Sequence, residues 1–152
     1  DVLIFLTGPA RGYIKKELSK IEVSYIHKFF KNKNDLLKCY HALDLYLITS
    51  REEGGPMGLM EAMASGVPVV STPVGMSVDL IENNFSGKVS KDFEVKSISK
   101  LICELIENRK LYKKITKNAL AVVDDVSWTN VSYKHYEDVY MPLIKKLKNF
   151  LL

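Results

Sequence analysis

The stretch TSREEGGPMGLMEAMASGVPVVSTP, Thr49–Pro73, decides the fold. Its end, Val67–Ser71, is an apolar β-branched run that reads as a strand, with Pro68 at the first positions, where a missing N–H is tolerated. Its middle, Met57–Ser65, is small and apolar. Pro56 suits the first helical turn and Gly66 suits the end, so this is a short helix. Another apolar run, Leu45–Thr49, leads into it. Strand, glycine loop, helix, strand is a βαβ unit, and both strands are continuous rather than alternating. That pattern belongs to parallel strands covered by helices.

The order holds outward in both directions. Asp1–Thr7 reads as a strand closed by Gly8–Pro9, and Gly12–Ile21 as a helix carrying Ile14, Leu18 and Ile21. Val23–His27 reads as a strand, and Asn32 or Asn34 can cap a helix through Leu43. Beyond the central stretch come a brief helix at Ser77–Ile81 and a weak strand at Gly87–Val89. Helices follow near Glu94–Glu107, Leu111–Val123 and Thr129 to about Leu147. The expected architecture is α/β, a Rossmann-like open parallel sheet with helices on both faces.

The totals narrow the function. The chain has 152 residues with 22 Lys+Arg against 18 Asp+Glu, a net charge of +4. The lysines are scattered, and the densest group, Lys145, Lys146 and Lys148, reads as a solvated helix face, with an anionic surface or partner as the alternative; no nucleic-acid partner is expected. Cys39 and Cys103 have no metal-ligand spacing and read as free thiols of a reducing compartment. No apolar run reaches the ~20 residues of a membrane-spanning helix. The chain starts inside a strand without a methionine, which reads as a fragment of something larger, trimming or tag removal being the other explanation.

The central stretch also carries chemistry. In an open parallel sheet, ligands bind beyond the C-terminal strand ends, where the Ser50–Met57 loop emerges. Gly54 and Gly55 let backbone approach a ligand, and the amides around Gly55–Gly58 begin a helix and offer N–H donors to an anion such as phosphate. Glu61, one turn in, can accept from a vicinal diol, and Glu53, before the helix, from another hydroxylated group. A carboxylate is a poor phosphate contact and a good hydroxyl contact, so the spacing points to a mixed ligand of sugar, phosphate and ribose. The competing reading makes Glu61 a solvated helix residue and Glu53 a loop charge. Against it, the helix is apolar almost all round, and a glutamate embedded there is costly without a partner.

The stretch EGGPMGLMEAMASGVPVVSTPVG resembles the donor-binding half of the retaining GT-B glycosyltransferases of family 4, the glycosyl transferases group 1. Their signature is a glutamate, seven residues, a second glutamate, small residues, glycine and a Val-Pro-Val-Val-like strand. Gly-Gly-Pro after Glu53 is a variant of it. VLIFLTGP, VSYIHKFFKNKNDLLKCYHALDLYLITS, LIENNFSGKVS and DVSWTNVSYKHYEDVY resemble flanking segments of the same family, so nearly the whole chain is covered.

The resemblance implies the C-terminal half of a GT-B fold, with residues 1–152 forming a nucleotide-sugar-binding domain. It implies that Glu61 holds the ribose diol and that Glu53, the catalytic candidate, contacts the transferred sugar. Phe30 falls where backbone meets the base, though a core aromatic is the plain alternative. Pro56, Met57 and Gly58 bring amides to the sugar and diphosphate, and Thr72 and Pro73 end the next strand beside them. The implied activity is transfer of a sugar, with retention, from a UDP- or GDP-type sugar to an acceptor hydroxyl. The acceptor is a carbohydrate, a lipid-linked glycan or a protein, and neither a cofactor nor a metal is needed. The implied compartment is the cytoplasm, with a peripheral membrane site left open for the full-length protein.

Departures from the family pattern carry their own expectations. The family's Arg/Lys diphosphate clamp lies on a first strand–loop–helix that would precede Asp1, and neither Arg11 nor Arg51 occupies that position. That unit and the N-terminal acceptor domain are expected as the chain's own partners, and the chain alone is expected to be inactive. Asp79 stands near where the family has a glutamate, and His27, His41 and His135 do not cluster. The alternatives are a non-catalytic nucleotide-binding or scaffold domain and a related GT-B epimerase or phosphorylase. The intact Glu53–Glu61 spacing disfavours the latter.

Overall fold

The structure, a computed structural model, describes residues 2–9 and 11–150, apart from the side chain of Asn149. It divides into two compact units, Asp1–Cys39 and Tyr40–Leu152.

In the first unit, β1 (Leu3–Thr7) pairs in parallel with β2 (Ser24–Lys28), and α1 (Gly12–Lys20) is the crossover between them. Gly8 turns the chain out of β1 at φ 83°, a conformation that favours glycine. His27 on β2 holds the same turn, its Nε2 lying 2.8 Å from the Gly8 carbonyl, while Arg11 Nε donates to the Thr7 carbonyl at 2.8 Å. Asn32 caps α2 (Lys33–Tyr40), its Oδ1 accepting from the Asn34 amide at 2.9 Å, and the last residue of α2 belongs to the second unit. The apolar runs predict strands covered on both faces. β1 and β2 are covered only in part, with Leu3 and Ile26 exposed, because each is an edge of a two-stranded sheet.

In the second unit, β3 (Tyr46–Ile48), β4 (Val69–Ser71) and β5 (Lys88–Val89) form a parallel sheet in that order. The sequence reading expected one open sheet, and its strands are here arranged as a parallel pair and a parallel triplet. The central strand β4 is buried along its length, as its Val-Val-Ser run requires. The ladder continues past the strand ends through Thr72 N–H to the Ile48 carbonyl (3.0 Å) and Ser90 N–H to the Ser71 carbonyl (2.8 Å).

Helix α3 (Met57–Ala64) packs against β3, β4 and the later helix Arg109–Asp125. It ends in a Schellman motif: Gly66, at φ 71°, donates to the Met63 carbonyl, and Val67 donates to that of Ala62. After the short α4 (Met76–Leu80) come α5 (Val95–Glu107) and α6 (Arg109–Asp125), which bury Ile98, Leu105 and Ile115 against Val70. The last helix expected from sequence begins at Trp128, under a Ser127 cap, and is interrupted. α7 (Trp128–His135) passes through a π-helical turn, Tyr136–Tyr140, into α8 (Met141–Phe150). Among the described residues no helix is long and apolar enough to cross a membrane.

Candidate functional site

The C-terminal ends of β3 and β4 open into two segments, the loop from Thr49 to Pro56 and the turn from Thr72 to Gly75. A cleft of about 550 Å³ lies between them, lined by Glu53 and Gly54 on one side and Pro73 to Gly75 on the other. This is the sheet edge at which the sequence placed the ligand.

Buried hydroxyls hold the two segments together. Thr72 Oγ1 donates to the Ser50 carbonyl at 2.6 Å, so the buried hydroxyl of this strand end anchors the loop. Ser50 Oγ in turn donates to Glu53 Oε1 at 2.7 Å, which fixes one oxygen of an otherwise exposed carboxylate at the mouth of the cleft. Ser71 and Ser77, both buried, bring their hydroxyl oxygens to 2.8 Å and tie α4 to the end of β4.

The glycines differ in what requires them. A Cβ on Gly75, whose φ is 43°, would overlap the Glu53 carbonyl and lie 2.6 Å from that of Gly54, so the turn and the glutamate loop touch through backbone. A Cβ on Gly55 would meet Met76 Sδ at 2.8 Å, and one on Gly58 would overlap the Tyr46 hydroxyl. Gly54 alone of the loop glycines faces open space, with nothing within 4 Å of its Cβ position. Of the two glycines expected to let backbone approach a ligand, Gly54 has open space beside it and Gly55 has the Met76 side chain. Gly55 and Gly58 are small because a methionine and a tyrosine occupy the space beside them.

Pro56, buried, is the N-cap of α3, and Leu59 N–H turns back to its carbonyl at 2.9 Å. The amides of Met57 and Gly58 precede it in the first turn, where N–H groups have no intrahelical partner. The Met57 side chain is exposed.

One turn further, Glu61 Oε2 accepts a 2.8 Å hydrogen bond from the hydroxyl of Tyr40, a residue only 6% exposed. This is the partner that a carboxylate on an apolar helix needs. Burial, then the bond to Glu61, hold the Tyr40 hydroxyl far above the ordinary tyrosine range. The ring packs on Tyr46 with centroids 5.7 Å apart and a 48° tilt. The helix expected through Leu43 spans Tyr40 without assigning it a role. The available signal was that a tyrosine and a glutamate at least half buried among apolar residues each require a polar partner.

Phe30 belongs to the first unit, where it stacks on Phe5 with centroids 6.3 Å apart and planes 11° from parallel, which fits its plain reading as a packed aromatic. Arg51 reaches over the Phe93 ring, 6.0 Å from its centroid, at the rim of the cleft. Asp79 is exposed on α4. Among the described residues, no three His, Cys, Asp or Glu side chains are grouped as a metal site would need.

A strand end, a glycine loop leading into a helix start and a carboxylate on each side of it gather at one sheet edge, the edge at which open α/β sheets bind ligands. The family model of the glycosyl transferases group 1 matches residues 1–122, and the chain belongs to that family. It is 28% identical over 116 residues to the N,N'-diacetylbacillosaminyl-diphospho-undecaprenol alpha-1,3-N-acetylgalactosaminyltransferase of Campylobacter jejuni, covering 76% of this chain and 30% of that one. The solved C-terminal domain of a group 1 glycosyltransferase, LpcC of Francisella tularensis, superposes with a TM-score of 0.68 at 27% identity, covering 78% of this chain and 65% of that one. Anabaena HepE in complex with UDP and glucose superposes with a TM-score of 0.71 at 24% identity, over 80% of this chain and 35% of that one. These likenesses make the fold the Rossmann-like C-terminal half of a GT-B glycosyltransferase. The chain spans between 30% and 39% of the length of four curated relatives it matches.

Proposed function

We propose that the chain is the donor-binding part of a longer retaining glycosyltransferase, which moves a sugar from a nucleoside-diphosphate sugar to an acceptor hydroxyl. The observation that carries this reading is the pair of oriented carboxylates around one helix start. Glu53 is fixed by Ser50 at the cleft, Glu61 is fixed by Tyr40 one turn into α3, and the Met57 and Gly58 amides lie between them in sequence.

In this reading the diphosphate lies at the amides, where the helix dipole and N–H groups favour anionic oxygen. Glu61 accepts from the ribose hydroxyls, and Glu53 accepts from hydroxyls of the transferred sugar. The acceptor oxygen attacks the anomeric carbon, the bond from that carbon to the diphosphate oxygen breaks, and the acceptor proton passes to the departing phosphate or to water. The amides offset the charge that grows on the leaving diphosphate. UDP in the HepE complexes supports a nucleoside diphosphate as the carrier, and the Campylobacter relative's name supports a lipid-linked glycan as one acceptor class. The remaining cationic clamp and the acceptor-binding domain are proposed to lie outside these residues, so the chain alone should not transfer sugar. The free thiols of Cys39 and Cys103 support a reducing compartment, the cytoplasm.

The test is Glu53→Gln in the full-length protein, assayed with a panel of nucleotide sugars. A fall in turnover with nucleotide affinity kept is expected. Unchanged turnover would remove Glu53 from the reaction, and a full-length protein that binds nucleotide without transferring sugar would make this a scaffold.

A further inference from the structure

We propose that Tyr40 is the positioning residue that aims Glu61 at the donor ribose, and that this hydroxyl–carboxylate bond sets the preference for ribonucleotides over 2′-deoxyribonucleotides. The proposal rests on the donor-site reading of Glu61 above.

The terminal torsion of a glutamate is broad, so an unheld carboxylate swings through many planes. A vicinal diol needs both oxygens presented together. Tyr40 supplies the constraint: it comes from the end of α2, is almost wholly buried, and donates a hydrogen bond to Oε2 at 2.8 Å. Oε1 and the remaining lone pair of Oε2 are then set in one plane for two ligand hydroxyls.

Tyr40 is itself held. Its ring leans on Tyr46 of β3, and the Tyr46 hydroxyl fills the space that a side chain on Gly58 would take. Gly58 and Glu61 are three residues apart on α3, so they share a face. The absent side chain at Gly58 is thus what lets two tyrosines reach the flank of the carboxylate. A glutamate needed only for solubility would not call for a buried donor from one element, a second aromatic from another, and a glycine to seat them.

A nucleotide that lacks the 2′-hydroxyl makes one bond fewer to an aimed carboxylate, and loses little to one that swings. The experiment measures the affinities of the full-length protein for UDP, 2′-deoxyUDP, GDP and 2′-deoxyGDP by calorimetry, in wild type, Tyr40→Phe, Glu61→Ala and Glu61→Asp. The wild type is expected to prefer the ribose form of its nucleotide, Glu61→Ala to lose that preference, and Tyr40→Phe to cut the ratio about tenfold. A general loosening of the fold would lower both affinities and leave the ratio in place. Should Tyr40→Phe not fold, Glu61→Asp serves, since one methylene fewer withdraws the carboxylate from Tyr40. Glu61→Ala losing the preference while Tyr40→Phe and Glu61→Asp keep it would overturn the role of Tyr40 and leave the donor-site reading standing. A wild type that binds none of the nucleotides, or a preference that survives Glu61→Ala, would overturn the reading of Glu61 and this proposal with it.

Discussion

Gly54 and Gly75 stand on opposite sides of the cleft, and replacing each by alanine should have opposite consequences. At Gly75 the backbone sits at φ 43° and ψ −136°, a region that is almost glycine-only, and imposing it on alanine costs on the order of 1–3 kcal/mol. The new methyl would also overlap the Glu53 carbonyl and lie 2.6 Å from that of Gly54, both backbone atoms that move only with the loop. Strain and overpacking together predict a loss of about 2–4 kcal/mol. For a chain of this size that lowers the melting temperature by roughly 5–15 °C. If the loop yields instead, Glu53 moves with it, and donor KM rises. At Gly54 nothing lies within 4 Å of the added Cβ, so alanine should leave stability within about 0.5 kcal/mol. It should weaken nucleotide-sugar binding about tenfold, because the methyl enters the space assigned to the ligand. Thermal unfolding of the chain and donor titration of the full-length protein read the two effects. Equal melting temperatures and equal donor affinities for the two variants would refute the assignment of one glycine to packing and the other to the ligand.

Lys88 on β5 is 2% exposed, with its ammonium 2.9 Å from Glu104 Oε1 and bonded to Asn84, whereas Glu104 is 45% exposed. Removing only the acid leaves a buried cation, a change that costs ~3–5 kcal/mol for a fully buried pair and about half that with one partner in solvent, so Glu104→Gln should destabilise by about 2 kcal/mol. Lys88→Met removes the cation and leaves a carboxylate that water can reach, so its unfolding in urea should match or exceed the wild type, and a larger loss than for Glu104→Gln would contradict this account. Alkaline stability tests the Tyr40 bond separately. The folded chain holds the Tyr40 proton more tightly than the unfolded chain does, because of burial and the Glu61 carboxylate. That contribution is complete below the ordinary tyrosine pKa of about 10 and declines as pH rises above it. Tyr40→Phe should therefore flatten the alkaline limb of a stability-against-pH profile, leaving a smaller slope from Tyr112, whose hydroxyl burial also raises.

Much of the fold was legible because its local rules agree. Pro56, Gly66 and the Val-Pro-Val-Val run bound α3 and β4 almost to the residue, since capping and strand burial are written in adjacent positions. The π-turn at Tyr136–Tyr140 was not legible, because residues of good helical spacing run through it and a one-residue shift of register leaves no mark in composition. The grouping of strands into a pair and a triplet is a matter of long-range pairing, which apolar runs do not specify.

The site divides along the same line. The two glutamates were readable as a pair from their spacing, but what holds each of them comes from elsewhere: Ser50 from the end of β3, secured by Thr72 of the next strand, and Tyr40 from the end of α2. The glycines show the cost of reading residues singly. Gly54, Gly55 and Gly58 look like one phosphate loop in sequence, yet only Gly54 has open space beside it, while Met76 and Tyr46 fill the space beside the other two. The glycines of this segment therefore fall into two kinds here, one with open space beside it and two that make room for neighbouring side chains. The two kinds are separated by tertiary contact, not by the loop's composition. A search for donor sites that scores the glycines alone would weigh all three equally. Scoring a glycine together with the buried hydroxyl that occupies its missing side chain, as Gly58 with Tyr46, would identify the framework that holds Glu61 in place.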